Sequence, residues 1–207
     1  MANADRPSGY TPVKYLNGSP WNGQANVYSI AAAYGTALYI GDPVISSGTS
    51  DSFGVQGIAL GAETGALRGV IVGLFNSGST SAVKGAPCVG QASDTIYRPA
   101  SHANVWYAMV ADDPNIIFQV QEESNGTALA ATQVGLNTIG ATGSGNGYVS
   151  GWLLSSSTGA TPATTATLQL RLMGLAQIPD NAFGAYAKWL VKINVHELGT
   201  GTGAAGV

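Results

Sequence analysis

Hydrophobic and polar positions alternate most regularly near the end of the chain, between Ala166 and Leu198. Leu168, Leu170 and Leu172 fall on one side of an extended backbone there, and Gln169 and Arg171 on the other. Further on, Trp189, Val191, Ile193 and Val195 alternate with Lys192, Asn194 and His196. A period of two marks a strand with one buried and one wetted face. Between the two runs stand Pro179, Asp180, Asn181 and Gly184. Proline presets φ, and Gly, Asn and Asp tolerate positive φ, so this stretch reverses the chain. The pattern predicts a hairpin that frames the rest of the fold.

The same test upstream predicts further strands. Val27 to Ile40 (VYSIAAAYGTALYI) reads as strand, short loop, strand, and Gly41 to Val44 (GDPV) as a turn into the next strand, with Asp42 extended before proline. Phe53 to Leu60 and Ala66 to Phe75 read as a hairpin around Glu63, Thr64 and Gly65. Glycines at 54, 57, 69 and 73 inside these runs imply bulges or close backbone approach, hence a curved sheet. Asn104 to Val110 and Ile116 to Gln121 are strands, joined by the turn residues Asp112, Asp113, Pro114 and Asn115. From Ser124 to Thr165 the chain is rich in Gly, Ser, Thr and Ala, with one strand over Tyr148 to Leu154 and a short helical turn over Ala128 to Leu136. So long a weakly patterned stretch predicts an Ω-like loop or a flap over a neighbour.

These elements predict an all-β fold, a single β-sandwich or barrel of jelly-roll character with long Gly/Ser-rich loops, over residues 27–198. Residues 1–26, punctuated by Pro7, Pro12 and Pro20 and by Gly9, Gly18 and Gly23, read as an extended arm, and 199–207 as a flexible tail. Tyr10, Tyr15 and Trp21 are spaced aromatic anchors along that arm. It lies either across a neighbour or back on its own domain.

Composition changes the picture in one respect. Charged residues make up 9% of the 207, against about 25% in ordinary soluble domains. A surface so poor in charge is a weak defence against association, and it fits either a Ser/Thr-rich β surface or one covered in an assembly. The length suits one domain burying roughly 70% of its unfolded surface. A net charge of −3 with scattered basic residues argues against a nucleic-acid partner. The single cysteine, Cys88, forms no internal disulfide and reads as a structural thiol. The first residues have no apolar core and include Asp5, Arg6 and two prolines, unlike a secretory signal, so the chain is expected to stay in the cytosol or assemble there. No charge falls between Glu123 and Arg171, but Gly, Ser, Asn and Pro break that stretch, and no membrane partner is expected.

Candidate chemistry fails residue by residue. His102 and His196 lack metal-ligand spacing and read as hydrogen-bonded structural histidines. Asp112 and Asp113 form a carboxylate pair, yet Asp-Asp-Pro-Asn is also good turn chemistry, the favoured reading. Glu122 and Glu123 read as a solvated strand end, and GSGNG at 143–147 lacks the strand, helix and Lys of a phosphate cradle. No serine sits in a nucleophile elbow. The expectation is no enzyme, no cofactor and no metal.

Several segments in order carry a resemblance: PSGYTPVKYLNGSPWNG near the start, LYIGDPV at Leu38 to Val44, GALRGVIVG at Gly65 to Gly73, ADDPNIIFQVQEE at Ala111 to Glu123, and TLQLRLMGLAQIPDNAFGAYAKWLVKINVHEL at the end. Together they resemble a family of small virion structural proteins of tailed bacteriophages, the capsid decoration or cement proteins encoded beside the major capsid protein. The resemblance implies a clamp made in the host cytoplasm that sits on the outside of the expanded, DNA-filled head at capsomer junctions. It implies the major capsid protein and further copies of the chain, as dimers or trimers, as partners. Aromatic anchors are the usual interface hot spots, so Tyr10, Tyr15 and Trp21, then Trp152 in the loop-rich region, are the expected capsid or subunit contacts. Trp106 and Trp189 alternate with strand partners and are expected in the core. The rival expectations are another virion part, such as a tail or fibre protein, and a glycan-binding adhesive module.

Overall fold

The alternating run at the end of the chain forms two paired strands as its pattern predicts, though Gln169 and His196, expected on the wetted face, are buried. The structure, a computed structural model, describes residues 3–76, 82–83, 86–87, 95–143, 146–156, 162–199 and 203–206. In chain order its strands are β1 (Thr11–Tyr15), β2 (Asn26–Ile30), β3 (Leu38–Tyr39), β4 (Pro43–Ser50), β5 (Gln56–Leu60), β6 (Gly69–Asn76), β7 (Ala82–Val83) and β8 (Ala86–Pro87). They continue with β9 (Tyr97–Arg98), β10 (Trp106–Ala111), β11 (Ile116–Gln121), β12 (Asn137–Thr138), β13 (Gly140–Thr142), β14 (Trp152–Leu154), β15 (Leu170–Leu175) and β16 (Lys188–Ile193). The fold is all-β; the one helical element among the described residues is a 3-10 turn at Ala131–Gln133, inside the predicted helical turn.

Two layers carry the fold. An open antiparallel sheet runs β1-β11-β16-β15-β12, and β10-β2-β5-β4-β6 close into a barrel. In β16 Trp189, Val191 and Ile193 are buried while Lys188, Leu190 and Lys192 are half-buried, so one face meets the core. Ile116, Phe118, Val120, Leu170 and Leu172 join that core from neighbouring strands. The barrel is filled by Tyr28, Ile30, Val44, Ile58, Ile71, Leu74, Trp106, Ala108 and Val110. Strand β6 serves both layers, since Ile71 points into the barrel core and Val70 and Val72 into the sheet core. A strand buried on both faces must be apolar throughout, which explains the unbroken GVIVGLF. The bulge expected near Gly73 is present, where β6 slips register against Met109 and Val110 of β10.

Three sequence-based expectations meet a definite outcome. Residues 53–60 and 66–75 do not form a hairpin: β5 pairs with β4 and β2, and β6 with β4 and β10. The intervening loop is held away from a tight turn. Gln169 donates to the carbonyls of Ala62 and Gly65 at 2.9 and 3.2 Å, and Glu63 accepts from Thr142. The turn expected at Asp112 to Asn115 is present, with Ile116 N–H bonded to the Asp113 carbonyl at 3.1 Å, and it joins β10 of the barrel to β11 of the open sheet.

The second concerns the arm: its described residues 3–26 lie back on their own domain, one of the two placements expected. β1 pairs with β11 as the edge of the open sheet. Asn3 bonds the 182–185 loop, and Tyr10 is 2% exposed. Tyr10 N–H bonds the Gly41 carbonyl at 2.9 Å, and a Cβ on Gly9 (φ +65°) would clash with that carbonyl and with Ser150, so glycine is required for the approach. The third concerns the tail. Residues 203–206 dock on the sheet: Asn137 and Arg171 donate to Ala204 O at 2.8 and 2.9 Å, and Gly206 N–H bonds Thr164 O. The polar side chains of β12 and β15 thus take up the tail's carbonyls, and the buried Gly206 amide finds a backbone partner. Cys88 lies outside the described residues.

Candidate functional site

The four aromatics expected at an interface separate into two pairs. Tyr10 and Trp152 are buried together, 2% and 4% exposed, with ring centroids 6.5 Å apart. Burial also raises the Tyr10 phenol well above its ordinary range. Their aromatic surface is spent within the chain, which corrects the reading of both as free anchors: an alternating apolar residue in a Gly-rich stretch found its partner inside its own core.

Tyr15 and Trp21 lie on an edge hairpin. Strand β1 folds back so that Trp21 N–H bonds Val13 O at 3.0 Å and Tyr15 N–H bonds Ser19 O at 2.8 Å. The Tyr15 hydroxyl reaches Asn22 and Gln24, and the Trp21 indole donates to Gln24 O. Both rings pack partly against the sheet core. Beside them Val13 and Leu16 are 40% and 50% exposed, and Tyr15, Leu16, Asn17, Asp113 and Asn115 line a surface hollow of about 390 Å³. Apart from Asp113, the lining of this patch on the edge of a sheet is uncharged.

A second concave feature opens on the barrel side. Thr36, Ala37, Tyr39, Asp42, Leu60, Thr142, Trp152 and three glycines line a groove of about 380 Å³. Buried Arg98 holds its rim: the guanidinium donates to the carbonyls of Ala31, Ala32, Tyr34, Thr36 and Pro99 at 2.9 to 3.3 Å. A planar fork with five donors suits a loop that presents carbonyls inward. Strand β9 pairs with β3, so Tyr97 stacks on Tyr39 at 5.7 Å, and Tyr148 meets the Tyr97 ring edge-on at 5.9 Å. Asp42 is 2% exposed and accepts from Tyr39 N–H at 2.8 Å and from the Ser150 hydroxyl. Burial pushes its carboxyl up to about 6.

The richest ionisable cluster fastens the two layers. The Tyr28 hydroxyl donates to Asp112 at 2.5 Å, and Asn26 donates to both Asp112 oxygens at 2.9 and 3.1 Å. Arg68 donates to the Tyr28 oxygen at 2.9 Å and lies 3.9 Å from Asp112 and 3.7 Å from Glu197. Glu197 in turn accepts from the backbone N–H and hydroxyl of Ser46 in β4. Burial, then the bond to Asp112, pushes the Tyr28 phenol up to about 12. These groups answer one another, so the cluster acts as a structural tie. Asp113 alone keeps the expected turn role, capping Asn115 N–H at 2.7 Å. Glu122, expected in solvent, is buried and accepts from Leu129 N–H and the Trp189 indole. His196 is buried with Nδ1 accepting from Leu198 N–H, and His102 accepts from Asn104 N–H, both structural as expected. Trp106 and Trp189 are in the core, as expected.

Among the described residues no group of three or more His, Cys, Asp or Glu is placed to hold a metal ion, and no helix is long and apolar enough to cross a membrane. No protein-family model, curated protein or solved structure matches the chain. Sequence reading missed Tyr39, Asp42, Tyr97 and Arg98 because each looks ordinary alone. The usable signal was Tyr-Ile-Gly-Asp-Pro, which places an aromatic and a carboxylate across a turn.

Proposed function

We propose that the chain is a non-catalytic virion component, a bacteriophage capsid decoration protein that binds the outer surface of the expanded, DNA-filled head at capsomer junctions. The observation that carries the reading is the edge hairpin: exposed Val13 and Leu16 beside half-buried Tyr15 and Trp21, on a chain with 9% charged residues. Its partners are the major capsid protein and further copies of itself, as a dimer or trimer on the capsid exterior. The barrel and the open sheet serve, in the same proposal, as the two layers of a sandwich of jelly-roll character.

A hairpin already ordered on its sheet docks at lower entropic cost than a free arm, which would give up about 1–2 kcal/mol per residue. Burying the exposed halves of Val13 and Leu16 contributes about 2 kcal/mol per copy. That is weak alone, and an oligomer touching several capsid subunits multiplies it through effective concentration. The test is a Val13→Thr/Leu16→Ser double variant, whose substitutions are on the surface and leave the fold intact. Its affinity for expanded shells is expected to fall at least tenfold, and unchanged affinity rejects the hairpin as the contact. Rings or filaments formed by the purified protein alone would reassign it to a tail.

A further inference from the structure

We infer that the groove between Tyr39 and Trp152 is a binding site for a neutral saccharide. Three observations meet there. First, Tyr39 lines the groove, and Tyr97 stacks on its ring at 5.7 Å. A pyranose presents a weakly positive, apolar C–H face that packs on the electron-rich face of such a ring. The Tyr39, Tyr97 and Tyr148 rings support one another in a row, which braces Tyr39, and Tyr148 at the outer end is 60% exposed.

Second, hydroxyl partners stand beside the platform. Asp42 is fixed by Tyr39 N–H and by Ser150, which leaves further acceptor positions on its carboxyl group. Thr142 donates its hydroxyl proton to Glu63 at 2.6 Å, so its oxygen is oriented to accept from a ligand. Bonds from Thr142 hold the Glu63 carboxyl below the usual carboxylate range. Thr36 adds a hydroxyl on the rim that Arg98 braces.

Third, the described lining contains no Lys, Arg or His, so an anionic ligand finds no counter-charge. A volume of about 380 Å³ lies within the range of about 300–1,000 Å³ typical of small-molecule sites. An aromatic wall at Tyr39, an apolar side at Leu60 and a few fixed acceptors match a polyol ring.

The site lies apart from the edge hairpin and stands whether or not the chain decorates a capsid. The full chain is screened on an array of neutral oligosaccharides with sialyllactose and phosphocholine as charged controls. The best-bound neutral member is then titrated by calorimetry. Saturable binding is expected, and Tyr39→Ala and Asp42→Asn each lower affinity at least tenfold, with Phe183→Ala on the 177–186 loop leaving it unchanged. Asp42→Asn keeps the shape of the side chain and serves if Tyr39→Ala unfolds. Binding to no neutral member, binding indifferent to both substitutions, or stronger binding of phosphocholine or sialyllactose would overturn the assignment.

Discussion

Asp112 and Asp113 are neighbours of one chemical type, yet the structure assigns them unequal weights, and alanine at each measures the difference. At position 112 alanine removes the acceptor of the Tyr28 hydroxyl and of the Asn26 amide. Asn26 is exposed and turns to water, so little is lost there. Tyr28 is 4% exposed, and its orphaned O–H keeps only the bond that its oxygen accepts from Arg68. A hydrogen bond to a charged group contributes about 1.5–3 kcal/mol, and an unsatisfied buried donor costs about 1–3 kcal/mol. These overlap, giving about 3 kcal/mol for Asp112→Ala. At 113 alanine loses one exposed cap on Asn115, about 0.5–1 kcal/mol. For a domain of this size about 3 kcal/mol lowers Tm by roughly 6–12 °C, and the smaller loss by roughly 1–4 °C. Urea unfolding and calorimetry of both variants read the contrast. Equal losses would refute the claim that this cluster ties barrel to sheet.

Three further outcomes are expected. Arg98→Lys removes most of the five carbonyl bonds of the fork and destabilises by on the order of 3 kcal/mol, with faster hydrogen exchange confined to the 31–37 loop; uniform exchange changes would contradict the bracing role. Asp42, with its folded carboxyl pushed up to about 6, contributes stability that is complete below pH about 4 and lost as pH rises through 6, by about 3 kcal/mol. Asp42→Asn should therefore gain on the parent protein by that amount between pH 4 and pH 7.5 in urea titrations, and a pH-independent difference would refute it. Gly9→Ala meets both positive φ and the Gly41 carbonyl and should cost above about 2 kcal/mol, while Gly23→Ala, with open space around it, costs only the strain of about 1 kcal/mol; equal thermal shifts would show that residues 3–10 are not seated on the domain.

The closing hairpin was legible because apolar residues recur at every second position along most of both strands and the strands are sequence neighbours. β6 was legible as strand, though its burial on two faces shows only in contacts with both cores. Strand pairing was not legible where distant side chains decide it: Gln169 and Thr142 hold the 61–68 loop open, so β5 and β6 never meet as a hairpin. Residues 11–15 were hidden because prolines and glycines frame a strand of only five residues. Tyr10 and Trp152 were picked out as large aromatics, but exposure depends on a partner from the other end of the chain. The seating of β1 also changes what a truncation means. Removing residues through Trp21 takes away a core tyrosine and a sheet edge, so surface substitutions in the hairpin isolate binding where deletion does not.

The central claim is tested most directly by co-sedimentation of the purified chain with shells of the major capsid protein proposed as its partner, stripped of accessory protein, in compact and expanded forms. The account predicts saturable binding to the expanded form, at a copy number matching a class of capsomer junctions. A well-folded protein that sediments with neither form would contradict it.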